Sequence, residues 1–501
     1  MSSQSMATAP AIREEDRRRW LILSVLVVAQ FMVVLDVAIV NVALPTIKND
    51  LHFSENGLQW VITAYAILFG GVLLLGGRMA DLLGRRRVFM AGLAVFTIFS
   101  LLDGLAWSSA SLIVFRGLQG LGAALLAPAA LSILTTTFRE GRDRNVALGI
   151  WGAASGSGGA AGVLLGGALT SALSWSWIFF INVPVGLAVL ALSPVLLKES
   201  RADLDHRHFD AAGAASITGG LMLLVYALTH ASQHGWATTE TFGLLAASAA
   251  LIVGFLVIEM RSPAPLLPLR IFRLRTLTAS NINALLMGAA IFSQFFLLTL
   301  YMQQVLHYSA LKTGVAYIAL TLAIIGFSVV SQGLVTRVGI RLVLAVGMAL
   351  SAAGLILYAQ LPVHGTYFSN LFPAFILSGI GLAFAFVPMS IGALTGVRPD
   401  DAGVASGLLN TNQQIGGAIG VAIATTIATT YTTHYLQGHP GVGPLDGAAL
   451  THGFQIAFYV LAALAALAAI VSAVMIEPGA AATTSSEEAP RELTPALEDA
   501  A

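Results

Sequence analysis

Few ionisable side chains interrupt the long apolar runs of this 501-residue chain, and three fall clearly inside them. Asp36 lies in the stretch LDVAIVNVALP, Leu35 to Pro45. Asp103 lies toward the end of a later run. Arg116 lies inside the next one, with Gln119 one helical turn beyond it, so the two share a helix face. An acid within a lipid-embedded helix is costly and must face water, find a cation or be protonated. A guanidinium stays charged and needs carboxylate or carbonyl partners. Burial disfavours a carboxylate's charge and a nearby arginine favours it, so an acid held between the two can exchange a proton near neutral pH. The chemistry on offer is therefore reversible proton binding at Asp36, with Arg116 coupled to it. A static reading stays open beside it, with Asp36 hydrogen-bonded to Asn41 or to a group of the fourth span and Arg116 in a fixed ion pair. Asp103 reads as a polar residue near the outer headgroups, and Asp210 and Glu259 as acids at span ends that water reaches.

Other chemistries find no residues. The sequence contains no cysteine, which excludes disulfides, thiolate nucleophiles and cysteine–metal sites. The lysines are Lys48, Lys198 and Lys312, and none follows a glycine, so no GK[ST] phosphate loop exists. The 10 histidines, including His206 to His208 and the pair His230 and His234, map to loops or span ends. No Ser/His/Asp set or metal cluster converges. The expectation is a protein that is not an enzyme, with no cofactor, no metal, no nucleic-acid partner and no ATP site.

The elements that must position Asp36 and Arg116 follow from composition. Hydrophobic residues make up 57% of the chain and charged residues 10%, against roughly 25% charged in soluble domains. This predicts an all-α integral membrane protein. Runs long enough to cross a bilayer fall at 20–43, 57–77, 88–107, 112–135, 146–170, 177–197, 210–230, 241–260, 278–304, 312–335, 341–361, 370–395, 403–431 and 453–476, which is 14 spans. The first run is too long for a signal peptide and lacks an A-x-A site, so it reads as a span. Arginines crowd the N-terminal arm and every second loop, which places both termini in the cytoplasm.

GGRMADLLGRRR (Gly76 to Arg87) is echoed by QGLVTRVGIR (Gln332 to Arg341). These equivalent turns imply two six-helix halves, 20–197 and 278–476, separated by two inserted helices and their linkers at 198–277. Residues 1–19 form a cytoplasmic arm, and 477–501 read as a disordered cytoplasmic tail. In the fifth span Gly158, Gly162, Gly166 and Gly167 recur at spacings that let helices approach closely. In the thirteenth, Asn410, Gln413 and Gln414 form an amide face which, with Asn281 and Gln294, could contact a substrate or join helices.

Four stretches resemble the major facilitator superfamily, and most closely its fourteen-span drug:proton antiporters of the EmrB/QacA type. LDVAIVNVALP is similar to that subfamily's first-span signature. GRMADLLGRRR fits the superfamily loop motif with Gly77, Asp81, Gly84, Arg85 and Arg86 in register. RGLQGLGAA, Arg116 to Ala124, fits the fourth-span motif, and WSWIFFINVPVGL, Trp175 to Leu187, the start of the sixth span. There are departures: Val163 stands where the fifth-span motif has proline, which removes a fixed kink. Ser176 replaces an arginine, and Thr336 replaces the acid of the second loop motif. The resemblance implies two pseudo-symmetric halves that rock about a central cavity, with Asp36 and Arg116 as the proton-coupling pair and Gly77, Asp81, Gly84, Arg85 and Arg86 as a conformational latch. Side chains that would suit such a cavity's wall and apolar cargo are Phe31, Tyr65, Gln119, Gln294, Phe386, Asn410 and Gln414, with Phe292, Phe296 and Met389 as further candidates. The implied activity is proton-coupled export of hydrophobic or cationic small molecules across a bacterial cytoplasmic membrane. Export of lipids or envelope precursors, or a non-transporting sensor, are the alternatives.

Overall fold

The computed structural model describes residues 8–53, 58, 60–138, 141–201, 210–262, 265, 267–398, 401–439, 443 and 446–478. Residues 1–7, His206 to His208, Arg139, Arg207 and the tail from 479 onward lie outside the described residues, so the disorder expected of that tail is not addressed by them.

No strand occurs among the described residues. Long apolar runs in lipid must satisfy their own backbone groups, and the helix does so within one segment. The helices are α1 (Thr8–Asp50), α2 (Trp60–Leu83), α3 (Arg85–Gly104), α4 (Ser109–Thr137), α5 (Arg142–Ala172), α6 (Trp177–Phe180), α7 (Asn182–Leu196), α8 (Ala211–His234), α9 (Thr239–Arg261), α10 (Arg275–Leu300), α11 (Ala310–Ala316), α12 (Ile318–Val338), α13 (Ile340–Tyr358), α14 (Phe372–Gly392), α15 (Ala402–Gly438) and α16 (Gly447–Met475). Among the described residues, thirteen helical stretches are long and apolar enough to cross a membrane, and fourteen if the bent α5 counts as one span. The polytopic expectation therefore holds. The first helix starts well before its apolar part, Arg17–Leu44, because the arm's glutamates and arginines are good helix formers.

Side-chain caps fix several starts: Ser108 forms a reciprocal capping box with Ser111, and Asp446 accepts from the amides of Ala448 and Ala449. Two glycines make the sharp turns between adjacent spans. Gly84 has φ +113° and Gly339 φ +84°, each directly before the next helix, which is a conformation other residues rarely adopt. These are the two turns that the sequence pairs as repeats.

Within the first six spans α1 packs on α5, and α4 on both α2 and α3. In the second set α10 packs on α15 and α13 on α14 and α16. The two sets meet along two seams, α2 with α15 and α5 with α12 and α14. The inserted α8 lies beside α2 and also touches α15, while α9 packs chiefly on α8 and buries only 17% of its apolar window.

Helix α5 bends by 41° between Arg142–Gly159 and Ala161–Ala172 even though Val163 replaces a proline. Adjacent Gly158 and Gly159 after Ser157 provide a bend of the Gly/Ser type instead.

Candidate functional site

Helix α1 is held in place by glycines on α5. A Cβ on Gly158 would lie 2.8 Å from Val34 Cγ1, one on Gly162 2.7 Å from Leu35 O, and one on Gly166 2.7 Å from Ile39 O. Gly167 is buried on the same helix. This contact brackets Asp36 and fixes where its carboxylate points.

That carboxylate is wholly buried, and so is Arg116. Arg116 Nη1 donates to Asp36 Oδ2 at 2.7 Å. Gln119 Nε2 at 3.0 Å and Asn182 Nδ2 at 2.9 Å donate to Asp36 Oδ1. Arg116 Nη1 also donates to Gln119 Oε1, and Arg116 Nε to Val61 O at 3.2 Å. The guanidinium lies 4.3 Å above the Tyr65 ring and 5.6 Å from that of Phe179, which adds cation–π attraction in a dry site. Asn182 donates in turn to Ser100 Oγ at 3.1 Å, and Ser100 Oγ to Phe179 O at 2.9 Å. Above this network Leu35, Ile39, Val61, Leu112, Trp175 and Phe179 form an apolar cluster. Trp175 Nε1 pins the start of the sixth span to Asp50 Oδ2 at 2.6 Å.

The expected partner Asn41 is not part of this network. Its amide donates back to Val37 O and Ala38 O on its own helix. The position falls to Asn182 instead, a residue in the quoted sixth-span stretch whose amide inside an apolar run was the available signal. Asp103 also departs from expectation: it is 0% exposed, and among the described residues neither carboxylate oxygen has a hydrogen-bond partner. The Phe180 ring of the short α6 lies against the neighbouring Gly104. Glu259, expected in water, is buried and accepts from Leu267 N at 3.2 Å. Asp210 caps α8 through Gly213 N at 2.7 Å.

A second constellation lies at the end bearing the basic loops. Asp81 is buried and paired with Arg85 at 3.1 Å, one turn apart across the Gly84 bend. A Cβ on Gly77 would lie 2.4 Å from Gly403 O, so α2 and the first turn of α15 touch backbone to backbone. Ser406 Oγ donates to Pro128 O at 3.1 Å and Arg144 to Leu394 O at 3.4 Å, joining the same two sets of helices. Arg86 turns toward the chain that follows the sixth span: its backbone N–H donates to Glu199 Oε1 at 3.1 Å and its side chain to Leu197 O. Glu199, which follows the sixth span, thus caps the start of α3. Nothing in its sequence position marks it for that task. Thr336, at the equivalent place in the second half, bonds Gln332 O on its own helix.

The expected cavity residues divide. Tyr65 and Gln119 belong to the Asp36 network. Gln294, Phe386, Asn410 and Gln414 lie on α10, α14 and α15, and Phe31 on α1 is half-buried. Asn410 donates to Ser406 O on its own helix, and the amide pair that joins helices is Asn412 to Asn281 at 2.9 Å. Phe292 packs on Gly417. Met389 is buried, whereas Phe296 is 36% exposed.

The sequence profile of the Major Facilitator Superfamily matches residues 26–421. The chain belongs to the Major Facilitator Superfamily. Within it, the chain is 38% identical over 473 residues to the Puromycin resistance protein pur8 of Streptomyces alboniger, covering 93% of each chain. It is 42% identical over 394 residues to the Cephamycin export protein CmcT of Amycolatopsis lactamdurans, covering 78% of this chain and 81% of that one. The crystal structure of the human organic anion transporter MFSD10 (TETRAN) superposes with a TM-score of 0.63 at 16% identity, covering 91% of this chain and 99% of that one. At that identity the likeness concerns the superfamily fold alone.

Proposed function

We propose that this protein is a secondary active exporter that moves hydrophobic or cationic small molecules out across the bacterial cytoplasmic membrane in exchange for inward-moving protons. The superfamily and its relatives named for puromycin resistance and cephamycin export support an exporter of small organic molecules. The observation that carries the coupling is the buried Asp36–Arg116 pair, which joins α1 to α4 within the first six spans and is closed off from water. An acid–guanidinium pair in such a place changes energy when a proton or a cation arrives.

In this reading the halves 20–197 and 278–476 rock about the Asp36 site, with 198–277 as an insertion beside the α2–α15 seam and both termini in the cytoplasm. Gly77, Asp81, Gly84, Arg85 and Arg86 latch the cytoplasmic end in the closed form. Proton and cargo compete: binding a proton from outside releases cargo, and losing it to the cytoplasm readmits cargo. Such a cycle requires each ligand to bind the two states unequally. Phe31, Tyr65, Gln119, Gln294, Phe386, Asn410 and Gln414 supply the aromatic and amide surface that apolar cargo uses.

In proteoliposomes, adding puromycin or a fluorescent lipophilic cation should release protons from the wild-type protein and not from a folded Asp36→Asn. Full proton coupling in Asp36→Asn sinks the exchange mechanism.

A further inference from the structure

The Asp36 network has a second acid that its hydrogen bonds do not use. Asp103 is wholly buried on α3, and both its oxygens lack hydrogen-bond partners among the described residues. Arg116 and Asp36 both act on it electrostatically. The helices packed against α3 bring little else that is charged. From α4 comes Arg116 alone, from α2 comes Tyr65, with Arg78 and Asp81 at that helix's other end, and α6 and α7 contain no ionisable residue.

Charge counting decides where a proton belongs. Two carboxylates and one guanidinium leave a buried, uncompensated negative charge, which is strongly disfavoured. One bound proton makes the set neutral. Asp36 receives donors from Arg116, Gln119 and Asn182, a setting for an acceptor-only carboxylate, since a protonated acid would turn its O–H toward a donor. Asp103 has no donor to hold a charge, and a neutral acid loses far less than an anion on burial.

We propose that Asp103 carries the exchangeable proton of this site while Asp36 stays the ionised partner of Arg116. This rests on the proton-coupled reading above and assigns its proton to a residue. When Asp103 releases that proton, Arg116 faces two carboxylates and the site becomes negative, which favours a cationic cargo. When Asp103 is protonated again, that attraction is gone.

The test uses the full-length protein in proteoliposomes. Asp103→Asn keeps the Asp36–Arg116 pair but fixes the site in its neutral form, so counterflow of an uncharged substrate without a proton gradient should survive and that of a lipophilic cation weaken, while proton-driven accumulation and substrate-induced proton release are lost. If Asp103→Asn keeps proton-driven accumulation, the assignment is overturned. A second measurement needs no variant: dicyclohexylcarbodiimide adds to protonated buried carboxyls, and peptide mass spectrometry of the wild type locates the adduct. An adduct on Asp103 that declines as pH rises is expected. An adduct on Asp36 with Asp103 unmodified, or none on either, overturns the proposal. Failure of the wild type itself to move protons with substrate removes the transport reading instead, and the adduct still reports where the proton sits.

Discussion

Asp81 Oδ2 faces Gly403 so closely that a Cβ on that glycine would lie 2.4 Å from it. The acid of α2 therefore sits at the N-terminal turn of α15, where exposed amides carry a partial positive charge. Asp81 is thus placed between two attractions, the Arg85 guanidinium on its own side and the helix end on the other. The first belongs to one half and survives any rocking; the second exists only when the halves meet. Asp81→Asn should remove about 1–2 kcal/mol of preference for the closed end, a shift of roughly 5- to 30-fold in the ratio of states. The chain has no native cysteine, so Ser406→Cys, beside Pro128 in the closed seam, gives a single thiol. Its alkylation rate should rise in the Asp81→Asn background. An unchanged rate would mean that the acid does not govern closure.

Gly403→Ala tests the same seam by shape. A methyl there meets both the Asp81 carboxylate and Gly77 O, at 2.4 and 2.6 Å, and backbone cannot yield as a flexible side chain does. The closed end should be lost more completely than in Asp81→Asn, with thermal stability nearly intact because each half stays packed. Transport that matches wild type in a folded Gly403→Ala would show that closure of this seam is not needed for the cycle, and would refute the latch.

The fold was legible because a membrane leaves so few options. Apolar runs of bilayer length had to be helices, and the alternation of arginine-rich loops constrained their number. The Gly84 and Gly339 turns were legible as repeats because each needs a residue free of Cβ strain. The Asp36–Arg116 pair could be anticipated since two opposite charges in lipid must find partners. The detailed wiring could not. Asn182 reaches Asp36 from the first turns of the sixth span, and an apolar run does not announce which of its residues faces α1. Asp103 looked superficial by position along its run, yet the helices packed around α3 bury it. Among the amides of α15, Asn412 rather than Asn410 faces Asn281, because a rotation of one residue pair around a helix decides which side chain meets the neighbour.

Removing one member of the buried pair should cost far more than removing both. Arg116→Ala leaves the Asp36 carboxylate without its cation, at about 3–5 kcal/mol of stability. Asp36→Asn combined with Arg116→Gln replaces the ions by amides of similar size and should regain much of that loss. Thermal unfolding in detergent, followed by the loss of the monodisperse peak, compares wild type, the single variants Asp36→Asn and Arg116→Gln, and the double variant. A double-variant loss equal to the sum of the two single losses would mean that the two residues do not interact as the 2.7 Å contact indicates.

The glycines of α5 offer the cleanest separation of packing from helix propensity. Gly162→Val drives two methyls into Leu35 O and Ala38, at distances of 2.7 and 2.8 Å from a Cβ alone, and overpacking of this kind costs about 1–3 kcal/mol. It also displaces α1 next to Asp36, so transport should fall together with stability. Gly326→Ala on α12 has nothing within 4 Å of the new methyl and should match or slightly exceed wild type, by up to about 1 kcal/mol, since alanine favours the helix. Measuring both by thermal unfolding and counterflow distinguishes a specific α1–α5 contact from a general preference for small residues in this bundle. If Gly162→Val is as stable and active as Gly326→Ala, then α1 is free to move away from α5, and the carboxylate of Asp36 is not positioned by this contact.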